Sequence, residues 1–166
     1  MILHGDSLQV LKTFEENSIE ALVTDPPYGL SKMTEANIHK CLTAWLSGED
    51  YIHKDKGFMK KDWDSFVPSP ALWKEVFRVL KPGAHGLVFA GSRTQDLMTM
   101  SLRLAGFEIR DTLMWLYSSG FPKSHNVSLS VQKKEPENMD WEGWGTALKP
   151  AYEPIILVRK PPSGTI

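Results

Sequence analysis

Four consecutive residues combine groups that could hold and activate an amino group on an aromatic ring. They are Asp25, Pro26, Pro27 and Tyr28. Two consecutive prolines fix two φ angles and remove two backbone donors, and the residue before a proline is pushed to an extended conformation. The Asp25 carboxylate and the Pro26 carbonyl are therefore acceptors on a stiff segment, with an aromatic ring close behind them.

This pattern favours chemistry at the exocyclic amino group of a nucleobase. Such a group is a poor nucleophile because its lone pair is delocalised into the ring. Two acceptors that take its N–H bonds localise that pair on nitrogen. Tyr28 can stack on an extruded base, and a methyl donor held in line completes a substitution that depends mainly on positioning. The alternative is that Asp25 only forms the turn that ends a strand.

The element that positions this segment is a predicted buried strand over residues 19–24, an apolar run with β-branched residues. A very short strand over residues 2–4 and a helix capped by Ser7 precede it, which gives a βαβ-like beginning. Ligands of open α/β sheets bind at the carboxyl ends of the strands. Asp25 is expected at that edge.

Strands and helices continue to alternate along the chain. This order predicts an α/β fold with a largely parallel sheet. An insertion over residues 30–68 interrupts it, and long loops of this kind are usually functional or disordered. The further predicted helices begin after Thr34, Ser69, Thr94 and Asn126, and the further predicted strands cover residues 85–90, 107–117 and 154–159.

Part of the insertion, residues 49–67, mixes lysines with aromatic residues. Its lysines can contact the phosphates of a nucleic acid while an aromatic ring stacks or fills space. Equally, it can be a solvated loop whose rings anchor it to the protein. A second possible backbone-contact patch consists of Lys123, His125, Lys133 and Lys134, and its alternative is a merely solvated surface. The residues concerned in the insertion are Lys54, Lys56, Lys60, Lys61, Tyr51, Phe58, Trp63 and Phe66.

Composition limits the remaining choices. The formal net charge is −1, so any nucleic acid must bind through a local patch rather than a global basic field. One cysteine, Cys41, allows no intrachain disulfide, and the N-terminus lacks the features of a signal peptide. We therefore expect a cytoplasmic protein that does not enter a membrane. The five histidines lack ligand spacing, so no metal is predicted.

The stretch from Asp25 to Tyr28 resembles the catalytic motif of amino-directed DNA methyltransferases that use S-adenosylmethionine. Asp at its first position resembles the adenine-N6 enzymes more than the cytosine-N4 enzymes, which more often have Ser there. The stretch Gly5-Asp6-Ser7-Leu8 resembles the family's short motif whose Asp lies near the adenine of the cofactor. Four later stretches, residues 76–84, 89–93, 114–123 and 149–156, resemble further family motifs in the same succession.

The resemblance implies a Rossmann-like methyltransferase sheet, mostly parallel with a late antiparallel hairpin. The family's glycine-rich cofactor motif is absent, so the sheet is expected to lack the strands that carry it. Residues 1–160 are then the catalytic part, and residues 161–166 a linker or truncated end. One sheet edge is expected to be raw and prone to association, with a homodimer or a complementary C-terminal part as partner.

By the same resemblance, the function is site-specific adenine-N6 methylation of DNA, as in restriction-modification systems. Asp25, Pro26, Pro27 and Tyr28 are its catalytic residues, and Gly5, Asp6 and Asp25 are its cofactor-binding residues. Two alternatives stay open. One is cytosine-N4 methylation by the same mechanism. The other is a non-autonomous or inactive fragment that binds DNA or a complementary subunit.

Overall fold

The computed structural model describes residues 2–55, 57, 62–119, 125–146 and 151–164. The described elements are, in chain order, α1 (Ser7–Leu11), β1 (Ile19–Thr24), α2 (Glu35–Leu46), α3 (Pro70–Val79), β2 (Leu80–Phe89), α4 (Gln95–Leu104), β3 (Glu108–Leu116), α5 (Val127–Gln132) and β4 (Tyr152–Arg159). The chain divides into two units, one of residues 1–114 with 154–166 and one of residues 115–153.

One four-stranded sheet has the order β1-β2-β4-β3. Strands β1 and β2 pair in parallel, and the other neighbours are antiparallel. The predicted α/β class with a late antiparallel hairpin is confirmed, although the described sheet is mixed and holds a single parallel pair. Strand β1 lies at one edge, and its Val23 side chain is 73% exposed.

The predicted strand over residues 2–4 is wrong. These residues are irregular, and Ile2 is 97% exposed. A strand this short depends on a neighbour for its ladder hydrogen bonds, and the only described neighbour of β1 is β2. Helix α1 begins one residue earlier than expected, at Ser7, because Asp6 rather than Ser7 caps it.

Strand β2 starts earlier than the predicted residue 85, at Leu80. Its ladder with β1 shifts register between the pairs Ile19–Leu80 and Ala21–His85, so the residues between Leu80 and His85 bulge out of the pairing. Gly83 lies in this bulge with φ +81°, a conformation that glycine adopts without strain. The predicted stop after α3 is therefore a bulge within a strand.

Helices α2, α3 and α4 contribute the apolar side chains that form the core with the sheet. Trp73 and Val76 of α3 are buried, as the helical spacing predicts, and Val79 is buried as well. Cys41 of α2 is fully buried, and burial raises the pKa of its thiol to about 12. That thiol is therefore a small core residue rather than a reactive group.

A lysine from the end of β4 stabilises the end of α3. The Nζ of Lys160 donates hydrogen bonds of 2.8 Å each to Asn17 Oδ1, Phe77 O and Leu80 O. It also lies 4.7 Å from the centroid of the Phe77 ring. One ammonium group thus satisfies carbonyls that the end of a helix leaves without intrahelical partners.

The unit of residues 115–153 contains α5 and a short bridge between Asn126 and Gly145. Asn126 caps α5 by accepting from the backbone N–H of Leu129. Trp141 and Trp144 pack edge to face with ring centroids 6.1 Å apart.

We predict that Lys160→Met lowers the free energy of unfolding by about 1–2 kcal/mol, because three acceptors lose their donor. Chemical denaturation measures the change. Lys74→Met is the matched control, since Lys74 lies on the exposed side of α3. Equal stability of the two variants would contradict the role given to Lys160.

Candidate active site

The segment that begins at Asp25 leaves the sheet where two parallel strands end together. Thr24, the last residue of β1, pairs with Val88 of β2. Asp25 follows β1, and the turn that leads into α4 follows β2. Asp25 is exposed, and Pro26 is half-buried. The expected place of Asp25 at the carboxyl edge of the parallel pair is therefore found.

Hydrogen bonds fix the backbone on both sides of Tyr28. The N–H groups of Tyr28 and Gly29 donate to the same atom, Oδ1 of Asp64, at 2.9 and 3.0 Å. The Tyr28 carbonyl accepts from Oγ1 of Thr94 at 2.5 Å. Asp64 and Thr94 are each only 3% exposed. Two distant parts of the chain thereby hold one short segment.

Two glycines allow these parts to approach closely. Gly29 has φ +68°, and a Cβ atom on it would lie 2.8 Å from the backbone nitrogen of Val67. A Cβ atom on Gly91 would lie 3.3 Å from Cβ of Tyr28 and 3.1 Å from Oγ1 of Thr94. A side chain at either position would push the neighbouring segment away from Tyr28.

A cavity of about 620 Å³ opens beside the segment. It is lined by Asp25, Pro26 and Pro27 and, from the N-terminal part of the chain, by Gly5 and Ser7. The structure thus brings together two regions that the sequence assigned to catalysis and to cofactor binding. The apolar lining includes Leu3, Val10, Leu11, Phe14, Ile19, Leu22, Val23, Leu72, Trp73, Val76, Val79 and Leu80.

Asp6 and Tyr28 do not line this cavity. The Asp6 carboxylate is exposed and caps α1, where Oδ1 accepts from the N–H of Gln9 at 3.0 Å. Its role in cofactor binding stays a prediction.

Within the charged segment over residues 49–67, some aromatic rings anchor the loop to the protein, and another is exposed to solvent. Tyr51 and Phe66 pack edge to face with centroids 5.0 Å apart, and Trp45 contacts Phe66. These rings anchor the segment to α2. Trp63, in contrast, is 68% exposed and remains free to meet a ligand. Lys54 is exposed, whereas Lys56, Phe58, Lys60, Lys61 and Lys123 lie outside the described residues.

The part of the chain with described coordinates contains no group of three or more His, Cys, Asp or Glu residues that could hold a metal ion. Within the same residues, no helix is long and apolar enough to cross a membrane.

Sequence reasoning missed Asp64 and the long-range contact of Thr94. Thr94 is the N-cap residue of α4, as predicted, but its hydroxyl makes no capping bond and donates to the Tyr28 carbonyl instead. Asp64 lies 36 residues from Tyr28, in a loop where carboxylates are common. The only local indication of its role is its position between the aromatic residues Trp63 and Phe66. A carboxylate that is buried next to such rings needs hydrogen-bond donors.

A family model described as "DNA methylase" (N6_N4_Mtase) matches residues 19–164. The chain belongs to the DNA methylase family. The match begins at the first residue of β1 and takes in residues 25–28, Asp64 and Thr94. The resemblance seen in the sequence is thereby confirmed for the family.

Curated relatives include Type II methyltransferases. The Type II methyltransferase M.HindIII of Haemophilus influenzae is 27% identical over 96% of the DNA methylase chain and 58% of its own length. M.HpaI of Haemophilus parainfluenzae is 26% identical over 76% of the chain and 35% of its own length. The chain thus spans only part of the length of these relatives.

Solved structures share the fold. TTHA0409 of Thermus thermophilus, complexed with S-adenosyl-L-methionine, superposes with a TM-score of 0.52 at 21% identity, over 96% of the chain and 52% of its own. The cytosine-N4-specific PvuII DNA methyltransferase gives a TM-score of 0.54 at 19% identity, over 95% of the chain and 49% of its own. At these identities the likeness concerns the fold alone.

We predict that Thr94→Val lowers the free energy of unfolding by about 1–2 kcal/mol, because the Tyr28 carbonyl loses its donor while the side-chain shape is kept. Thermal or chemical denaturation provides the measurement. Thr99→Val is the control, a substitution of the same chemistry on a half-exposed face of α4. If both variants unfold alike, the bond between Thr94 and Tyr28 contributes nothing measurable.

Proposed function

We propose that this chain is the part of an S-adenosylmethionine-dependent DNA methyltransferase that binds and activates the target amino group, with adenine N6 as the acceptor. The observation that carries the proposal is the exposed carboxylate of Asp25. It leaves a parallel strand pair on a diproline segment, lines a cavity, and is followed by a backbone held from both sides.

In this proposal the two N–H bonds of the amino group point to the Asp25 carboxylate and the Pro26 carbonyl. These acceptors draw the lone pair out of the ring and onto nitrogen, where it can attack a methyl group. The Tyr28 ring stacks on the extruded base and holds its plane. A backbone that cannot shift keeps both acceptors in place as the nitrogen becomes tetrahedral, so little reorganisation is needed during the reaction.

The residues around the cavity fit a cationic sulfonium cofactor. Its volume, about 620 Å³, lies within the usual range for small-molecule sites. Apolar walls suit a purine and a thioether-like chain, and the Asp25 carboxylate suits a positive charge. When bound, S-adenosylmethionine would supply an electrophilic methyl group. The bond from that methyl group to sulfur would break as its bond to nitrogen forms, which would leave a neutral thioether, and the amino group would lose one proton to solvent. Gly5, Ser7 and Asp25 line the cavity where it would be held, and we assign Asp6 to the same binding region.

The choice of adenine rests on the first residue of the catalytic segment. Asp25 resembles the adenine-N6 enzymes, in contrast to the Ser that is more frequent in cytosine-N4 enzymes. The cytosine-N4-specific PvuII enzyme shares the fold, so the fold itself does not discriminate between the two bases. Recognition of DNA is assigned to the exposed Lys54 and Trp63 region, together with Lys56, Lys60, Lys61 and Lys123.

The DNA methylase chain spans 58% and 35% of the two relatives described above. We propose that β1, an edge strand of the described sheet, faces a complementary C-terminal part or a second copy. Calorimetric titration of the chain with S-adenosylmethionine tests whether the described part suffices for cofactor binding.

Mass spectrometry of nucleosides from DNA treated with the protein and S-adenosylmethionine tests the reaction. N6-methyladenine is the expected product. N4-methylcytosine would overturn the assignment of the base and keep the mechanism. An absence of methylated nucleosides, with a folded protein that still binds DNA, would support the interpretation as a non-autonomous fragment.

We predict that Asp25→Ala lowers kcat by roughly 100- to 1,000-fold with little change in DNA affinity, because it removes an interaction made mainly in the transition state. Single-turnover methylation and fluorescence anisotropy with DNA measure the two effects. Asp111→Ala is the control, an exposed carboxylate on β3. If Asp25→Ala turns over nearly as fast as the control, Asp25 does not activate the amino group.

A further inference from the structure

We propose that Asp64 is a positioning residue for the catalytic segment. Its carboxylate is 3% exposed and accepts from the N–H groups of Tyr28 and Gly29. The inference rests on the proposed function and deepens it, because it explains what holds Tyr28 and the Pro26 carbonyl in place.

The sequence of the segment makes these two donors decisive. Pro26 and Pro27 have no backbone N–H, so the first backbone donors after Asp25 belong to Tyr28 and Gly29. Asp64 accepts from both through one oxygen atom. A buried backbone donor has to find a partner, and a buried carboxylate has to find donors. Each group therefore satisfies the need of the other.

Charge strengthens this arrangement. Hydrogen bonds from backbone N–H groups to a carboxylate are roughly twice as strong as those between neutral groups. The second restraint, from Thr94, acts on the other side of the Tyr28 residue, at its carbonyl. Between them, the peptide groups that flank the Tyr28 side chain have almost no freedom to rotate. The direction in which the ring leaves the backbone is fixed before any base arrives.

The position of Asp64 also links this restraint to the surface. Its neighbour Trp63 is 68% exposed. Three residues after Asp64, the backbone of Val67 approaches Gly29. One turn of chain thus presents an aromatic ring outward and a carboxylate inward.

Hydrogen exchange tests the positioning role without any reference to catalysis. In Asp64→Ala, the amides of Tyr28 and Gly29 should exchange at least about tenfold faster by NMR, while the amides of β2 and β4 keep their protection. Asp62→Ala is the matched control, because Asp62 is an exposed carboxylate on the same turn. Unchanged exchange at Tyr28 and Gly29 in Asp64→Ala would overturn the proposal.

Kinetics provide the second test. In Asp64→Ala, kcat per folded molecule should fall about 100-fold, the size expected for a misplaced reacting group, while KM for DNA stays nearly constant. Asp64→Asn keeps an acceptor of the same shape and should recover most of this loss. A merely structural role would lower the melting temperature and the folded fraction, with kcat per folded molecule unchanged, and would refute the inference.

The outcomes separate this inference from the proposed function. If wild-type protein methylates no DNA, the proposed function fails for this chain alone, and hydrogen exchange still decides the role of Asp64. If wild type is active and Asp64→Ala equals it, only the inference on Asp64 fails. Should Asp64→Ala not fold, Asp64→Asn is decisive, since a neutral acceptor must give faster exchange at Tyr28 and Gly29 than in wild type.

Discussion

Two hydrogen bonds to one buried oxygen atom determine the geometry of this site. A diproline segment is stiff, but stiffness alone does not set its direction. Its two prolines have no backbone N–H groups that could form hydrogen bonds with neighbouring segments. The Oδ1 atom of Asp64 fixes the segment instead, by accepting hydrogen bonds from the N–H groups of Tyr28 and Gly29. The parallel strands, the turn after β2 and the insertion then have to converge on this point.

The sheet and the insertion contribute different parts of this site. The pair of β1 and β2 brings Asp25 to the carboxyl edge of the sheet, as in other open α/β folds. The turn before α4 contributes Thr94, and the insertion contributes Asp64. The framework therefore places the acceptors, while elements distant in sequence orient the aromatic ring that follows them.

Local signals made the framework predictable. Helices α2 and α3 follow from capping residues and apolar spacing, and the strand before Asp25 from a β-branched run. What the sequence did not show depends on long-range pairing. The segment 2–4 has strand composition, but no strand among the described residues pairs with it. Thr94 precedes α4, but its hydroxyl bonds to the Tyr28 carbonyl. Asp64 could not be assigned, since nothing local marks a carboxylate whose donors are 35 and 36 residues away.

The close approach of Gly29 to Val67 has a consequence for how such enzymes diversify. The two ends of the intervening chain are held side by side, with less than 3 Å between an added Cβ atom and the opposing backbone. The entropy of closing a loop grows only slowly with its length. A change of length between α2 and Asp64 therefore costs little, provided that Cys41 and Trp45 of α2 keep their places in the core and Asp64 keeps its two hydrogen bonds. This part of the insertion can vary while both anchors stay unchanged.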